Sequence, residues 1–223
     1  MPDPLVLPTF PAPVELRTER LLLRQWKDSD ADAWAAMNAD PEVRKYFPKV
    51  NTREESQGEM DRIRAGIAQR GWGMWAVEVP GVSPFIGFVG LNPPGFPAPW
   101  QPGVETGWRL AREAWGKGYA TEGAEASLYF AFEYLRLPEV LALSVVPNKP
   151  SHAVMERIGM KRWHGMEFDH PRTPTDWPLR NHIVHRIRAT EWHQLRKARI
   201  GNLKTPAPAR TSGQNRPKRR AHS

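Results

Sequence analysis

The spacing of apolar and polar positions changes several times along the 223-residue chain, and each change marks an element boundary. The first patterned stretch predicts a strand over about 15–26. A helix over 28–38 follows, beginning near Asp28 or Ser29, both suitable caps. A second helix starts after Asn51-Thr52 and runs to about Gln69. Aromatic and β-branched runs predict strands over 72–79 and 85–91. A proline-rich loop, Asn92 to Gly103, leads to a strand over 104–110. The long helix over 116–136 places Ala120, Ala124, Leu128, Ala131 and Leu135 on one face at helical spacing. Next come a strand over 139–146, a helix over 150–159, a strand over 160–168, an irregular stretch over 169–180 and a last strand over 182–190. This alternation argues an α/β fold: one mixed, twisted sheet of about seven strands with helices on both faces. No internal repeat and no second domain is read.

Composition narrows the function classes. The chain has no cysteine, which excludes disulfides, thiolate metal sites and a cysteine nucleophile, and suits a reducing cytoplasm. Residues 79–104 carry no charge, but seven prolines and five glycines interrupt them, so no membrane-spanning helix is expected. The N-terminus lacks the basic, apolar and small-residue succession of a signal peptide.

The net charge of +8 is local: residues 192–223 hold nine Lys/Arg and no Asp/Glu, leaving 23 Lys/Arg against 24 Asp/Glu elsewhere. Residues 1–14, with five prolines, and the basic tail 196–223 are expected to be disordered, flanking one domain over 15–195. The tail offers loose attraction to nucleic acid or another polyanion, but a solvated extension is the favoured reading.

The segment Glu105–Leu135 carries the chemistry. An extended run, Glu105–Leu110, leads to the turn Trp115-Gly116-Lys117-Gly118-Tyr119-Ala120, which opens into the long helix. A helix start leaves its first N–H groups without internal partners and aims them, with the positive dipole end, at one spot. Small residues let a phosphate approach, and Lys117 adds a charge, so the junction reads as an anion cradle. A nucleotide P-loop is excluded because no glycine stands five residues ahead of Gly116. A dinucleotide fingerprint is excluded because Thr121 follows Gly116-x-Gly118 at the third position and the preceding strand lies mid-chain.

The turn resembles the pyrophosphate loop of the GCN5-related N-acetyltransferases (GNAT superfamily), R/Q-x-x-G-x-G/A. Its W-G-K-G-Y-A-T-E run is similar to the branch containing the ribosomal-protein N-terminal acetyltransferases. Further likenesses follow in order: Leu16–Arg24, Asp40–Val43, Phe85–Leu91, Asn148-Lys149-Pro150-Ser151 with Ile158-Gly159-Met160, Phe168–Arg172 and Thr190-Glu191-Trp192. Together they cover roughly 15–192. The resemblance implies a GNAT-like fold and acetyl transfer from acetyl-CoA to a primary amine of a small molecule or a protein N-terminus. A monomer or homodimer is expected, with no metal and no membrane partner.

The same resemblance assigns residues. Gly116, Lys117, Gly118, Tyr119, Ala120 and Thr121 would meet the diphosphate, and the main chain of Arg109, Leu110 and Ala111 would pair with the pantetheine arm. Arg109 or Leu110 would also supply the N–H donor to the thioester oxygen. Asn148 would bond the pantetheine amides. Glu105 is the candidate base for the acceptor ammonium, directly or through a water, against a reading as a surface carboxylate. Ser151 is the candidate acid for the leaving thiolate, against a reading as a helix cap. The tyrosine many members carry seven residues after the asparagine is Met155 here, which raises the alternative of a catalytically idle acyl-CoA sensor. Trp115 stands where Gln or Arg is usual.

Trp34, Tyr46, Phe47, Trp72 and Trp75 would line an acceptor pocket or, more commonly for aromatic residues, the core. The loops 92–103 and 164–181 are candidates for acceptor selection. His182 and His185 point to opposite strand faces and do not read as a metal pair, nor do His164 and His170.

Overall fold

The computed structural model describes residues 7–198. Nine strands form one sheet: β1 (Leu16–Arg17), β2 (Leu22–Arg24), β3 (Met74–Glu78), β4 (Gly87–Asn92), β5 (Glu105–Leu110), β6 (Glu139–Val145), β7 (Lys161–Arg162), β8 (Phe168–Asp169) and β9 (Asn181–Arg188). Five α-helices accompany them: α1 (Ala31–Ala39), α2 (Arg53–Arg70), α3 (Tyr119–Glu133), α4 (Lys149–Arg157) and α5 (Ala189–Ala198). The strand order is β1-β2-β3-β4-β5-β6-β9-β7, with β8 also on β9. Every neighbouring pair is antiparallel except β5 and β6.

Strand alternation sorts the two faces. Phe88 and Arg109, opposite each other, face α1 and α2: Phe88 packs on Trp34, and Arg109 reaches Asn38 and Glu59. Val89 and Trp108, the next pair, face α3, where a Cβ on Gly123 would lie 3.1 Å from Val89. Trp75 reaches Phe130 of α3 on that side. Trp34, Trp72 and Trp75 are fully buried, so these three belong to the core. On α3, Ala124, Leu128 and Ala131 are buried as the spacing requires, while Leu135, also buried, lies beyond the helix end at Glu133.

Local chemistry explains where elements begin and end. The N–H of Glu55 bonds the Thr52 hydroxyl while the Glu55 carboxylate accepts from the Thr52 N–H, a reciprocal cap that starts α2. Gly71, at φ 81°, ends it. The expected strand over 15–26 is interrupted, because the Thr18 N–H donates to the Leu21 carbonyl and the Leu21 N–H to the Thr18 hydroxyl, closing a turn. The helix expected from 28 begins as a 3-10 turn, Asp28–Asp30. Its cap is neither Asp28 nor Ser29: Asp30 reaches back to accept from the Lys27 N–H. The strand expected over 160–168 is split into β7 and β8 by a turn with Gly165 at φ 82°. Helix α5, anchored by buried Trp192, was not expected.

Residues 7–14 form no helix or strand, yet they are pinned rather than disordered. The Phe10 N–H donates to the Arg70 carbonyl, and the Trp72 and Trp75 indoles donate to the Pro8 and Val14 carbonyls. Of the expected basic tail, 196–198 complete α5, and 199–223 lie outside the described residues, as do 1–6.

One ionic hub ties the α1 side together. Arg24, 1% exposed, donates to both oxygens of Asp30 (2.8 and 2.9 Å) and to Glu78 (2.9 Å), joining β2, the 3-10 turn and β3. Removing Arg24 strands the buried Asp30 carboxylate, at a cost of about 3–5 kcal/mol. Arg24→Ala should lose that much in urea unfolding, and a loss below about 1 kcal/mol would contradict the hub's role.

Candidate active site

The sheet opens at its single parallel junction. Strands β4 and β5 pair over Gly87–Asn92 and Glu105–Leu110, whereas β5 meets β6 in one registered pair, Glu105 with Leu141. The Leu141 N–H donates to the Val104 carbonyl, and the Ala111 N–H to the Ile86 carbonyl, both at 2.9 Å. Main-chain groups of even-numbered β5 residues therefore point toward β6, and those of odd-numbered residues toward β4. Past Thr106, β6 has diverged, so the N–H groups of Trp108 and Leu110 face the opening.

This corrects the expected main-chain set. Leu110 stays, although its carbonyl accepts from the Trp115 indole at 2.8 Å. Arg109 turns its main chain to β4. Ala111 is committed to the Ile86 carbonyl and the Ala114 N–H. Trp108, outside the expected set, directs its main-chain groups to the gap instead, because only the register reveals which residues face it.

A cavity of about 1110 Å³ fills the opening. Its wall includes Arg109, Leu110, Gly116, Gly118, Tyr119, Ala120, Thr121, Asn148 and Ser151. Glu105, Ala111 and Lys117 lie outside that wall. The volume exceeds the roughly 300–1,000 Å³ of a common ligand pocket, and suits a long cofactor together with an acceptor.

At one end stands the glycine turn. Gly116 and Gly118 adopt φ 72° and 81°, left-handed values that penalise a side chain. Gly118 caps α3, and the first helical bond runs from the Glu122 N–H to the Gly118 carbonyl. The N–H groups of Tyr119, Ala120 and Thr121 thus have no acceptor within the helix. The expected cation, Lys117, is exposed and away from the cavity, and its carbonyl accepts from Arg20 at 2.9 Å.

Arg20 supplies a cation to the cavity wall instead. Its main-chain N–H and its Nε donate to the two oxygens of Glu122, at 2.9 and 2.7 Å, and the Thr18 hydroxyl donates to the same carboxylate at 2.6 Å. The signal for Arg20 was present: an acidic Glu122 in the first turn, beside an anion cradle, demands a countercharge.

The opposite rim comes from the start of α4. Asn148, not Ser151, is the cap: its side-chain oxygen accepts from the Ser151 N–H at 3.3 Å. The amide NH₂ and the second lone pair of that oxygen stay available to a ligand. Among the described residues the Ser151 hydroxyl makes no hydrogen bond. Met155, 2% exposed, lines the cavity where a tyrosine was looked for.

Glu42, Val43, Lys45, Tyr46 and Phe47 form a further part of the wall, and Tyr129, Trp192 and Arg196 another. The loops 92–103 and 164–181 do not line the cavity; they brace each other through Arg172 on the Gly95 carbonyl (2.8 Å) and Phe96 stacked on Phe168. Burial and the neighbouring Arg109 push Arg44, behind Phe47, down to about 10.

Residues 20–161 match the model of the acetyltransferase (GNAT) domain. The chain belongs to this family. It is 29% identical to the FsC-acetyl coenzyme A-N(2)-transacetylase of Aspergillus fumigatus over 85% of this chain and 82% of that one. An acetyltransferase structure from Agrobacterium tumefaciens is 30% identical, with TM-score 0.63, covering 80% of this chain and 95% of that chain. Mycobacterium smegmatis RimJ, solved in complex with CoA-disulfide, shares the fold at 21% identity and TM-score 0.64, over 86% of this chain and 97% of that one.

In this acetyltransferase Glu105 sits at the last rung before the sheet opens. Burial pushes its carboxyl up to about 7, against the Asn92 amide (3.2 Å) and the charge of Arg172, which both favour ionisation. Its neighbours Thr106 and Gly107 line the cavity. A carboxyl raised above its ordinary 4.5 leaves stability intact below that pH and lowers it as pH rises through about 7. Glu105→Gln should therefore melt above the wild type at pH 8 and converge with it at pH 4. Parallel melting curves across that range would contradict the assignment.

Proposed function

We propose that the protein transfers the acetyl group of acetyl-CoA to a primary amine, of a small molecule or a protein N-terminus, by direct attack on the thioester. The observation that carries this reading is the juxtaposition of unpaired α3 N–H groups with an unpaired β5 edge in one cavity. Gly116, Gly118 and the N–H groups of Tyr119, Ala120 and Thr121 would hold the diphosphate, with Arg20 as countercharge. Trp108 and the N–H of Leu110 would pair with the pantetheine arm, and Asn148 would donate its amide to it. When bound, acetyl-CoA supplies the activated acyl group.

The chain's own residues manage charge and protons. The Trp108 N–H, with its carbonyl left to the arm, lies on the gap side of β5 one step nearer Glu105 than that of Leu110, and suits an oxygen gaining negative charge; one such donor contributes about 3 kcal/mol. Glu105, with a pKa near 7, would take the ammonium proton through a water. Ser151 would hold the proton for the leaving thiolate. The W-G-K-G-Y-A-T-E run supports a protein N-terminus as one acceptor class. The absence of cysteine supports a cytoplasmic setting, and no helix among the described residues is long and apolar enough to cross a membrane. We infer a monomer or homodimer acting without a metal or nucleic acid.

Buried Met155 favours one second reading, an acyl-CoA sensor without turnover; tight binding with no thiol release from any amine would select it. Thr121→Asp separates binding from folding. An acid at the third helical position favours the helix dipole but opposes a diphosphate. The variant should melt no lower than the wild type without ligand, and bind acetyl-CoA at least tenfold more weakly by calorimetry. Unchanged affinity would count against the cradle. For the base, kcat/KM should rise through pH 7, and Glu105→Gln should flatten that rise and lower the rate about 10²-fold or more.

A further inference from the structure

Beside the phosphate cradle, the cavity wall carries an unbalanced charge that acetyl transfer alone does not require. We propose that Arg109, backed by Arg44, forms a subsite for a carboxylate on the acceptor amine, so that the acceptor is an anionic or zwitterionic amine rather than a simple cation. The proposal rests on the acetyltransferase reading and names the substrate class of that same site.

Arg109 has a side chain 9% exposed and lines the cavity. Its two terminal nitrogens donate to Asn38 (2.9 Å) and Glu59 (3.2 and 3.3 Å), but its Nε is buried with no partner. An unmet donor on a buried cation is costly, and native structures rarely retain one without a reason. Arg44 adjoins it: both guanidinium groups lie over the Phe47 ring, at 4.1 and 4.5 Å from its centroid. Arg44 bonds only neutral acceptors, the Lys49 carbonyl and the Asn51 side chain.

The surrounding charges cancel in pairs. Lys45 meets Glu42, Lys49 meets Glu55 and Arg112 meets Asp40. Glu59 is left as the one carboxylate for two guanidinium groups, and it also accepts from Asn51. An incoming ammonium meets like charge at this wall. A carboxylate on the same molecule supplies the missing negative charge to the wall at Arg109. The carboxylate belongs either to a free amino acid or to the side chain of an acidic peptide N-terminus.

The test compares matched acceptors by thiol release. One arm pairs α-amino acids with their carboxamides; the other pairs tripeptides beginning with Asp against those beginning with Asn. Wild type should prefer the carboxylate member of one arm at least tenfold in kcat/KM, mostly through KM, and the arm identifies its source. Arg109→Met should reduce that preference to within twofold, and Arg44→Met should weaken it if the first variant fails to fold. Glu59→Gln should enlarge it, a gain that a merely structural role for Arg109 would not produce. Acetyl-CoA affinity, followed by calorimetry, should hold in every variant. Turnover with no carboxylate preference in either arm would overturn the subsite and leave the transferase standing. Acetyl-CoA binding without turnover of any acceptor would overturn both the transferase and the subsite. Failure to bind acetyl-CoA would overturn the cradle as well.

Discussion

The architecture depends on one backbone constraint: β5 and β6 run parallel and touch at a single registered pair, Glu105 with Leu141. A parallel edge that continued would consume its N–H and carbonyl groups in the ladder. Because it stops, Trp108 and Leu110 keep polar main-chain groups directed at the gap, where an extended ligand can complete the sheet as an added strand would. The antiparallel pairings on either side hold this opening rigid. Over Gly87–Leu110 the fit is tight: a Cβ on Gly87 would lie 2.1 Å from the Arg109 carbonyl oxygen. The gap is thus fixed in place by its neighbours rather than made by a flexible loop.

The second constraint is electrostatic. The mouth of α3 attracts anions through its unpaired N–H groups, yet its first turn contains Glu122, which opposes a phosphate. Arg20 resolves the conflict by binding the carboxylate with two donors while a third holds the Lys117 carbonyl. The same contacts fix the loop so that its amides, not its carbonyls, meet the cavity. The guanidinium also lies over the Tyr119 ring, 4.8 Å from its centroid, which restricts it further. A lysine at 20 would give the charge without this three-way bracing.

Local signals in the sequence carried far. The glycine turn, the long helix with Ala124, Leu128 and Ala131 inward, the start of α2 after Asn51-Thr52 and the α/β alternation all follow from local pattern, and each stands in the structure. What failed depended on turn closure, side-chain geometry or distant partners. The break at Thr18–Leu21 and the split of β7 from β8 come from turns whose closing bonds no periodicity encodes. The choice of Trp108 over Arg109 and Ala111 follows from register, which is set across strands. Lys117 looked like the loop's cation because it is adjacent in sequence, whereas Arg20 reaches the loop from 97 residues away. Asn148 and Ser151 both line the cavity, but which one caps α4 is a matter of side-chain geometry.

The position of Glu105 links strand geometry to proton chemistry. At the last paired rung its main chain is locked, and the protein around it raises the carboxyl to about 7. Further along β5, toward the open cavity, a carboxyl would gain water and lose that shift. One position back lies Val104, 1% exposed, whose carbonyl closes the ladder, a site for an apolar side chain. The end of pairing is therefore where a carboxyl is buried enough to act as a base near neutral pH and still adjoins Thr106 and Gly107 on the cavity wall. The divergence that turns the main chain toward the cavity also creates the dry boundary that raises this carboxyl, so the open edge and the shifted carboxyl both follow from where β6 leaves β5.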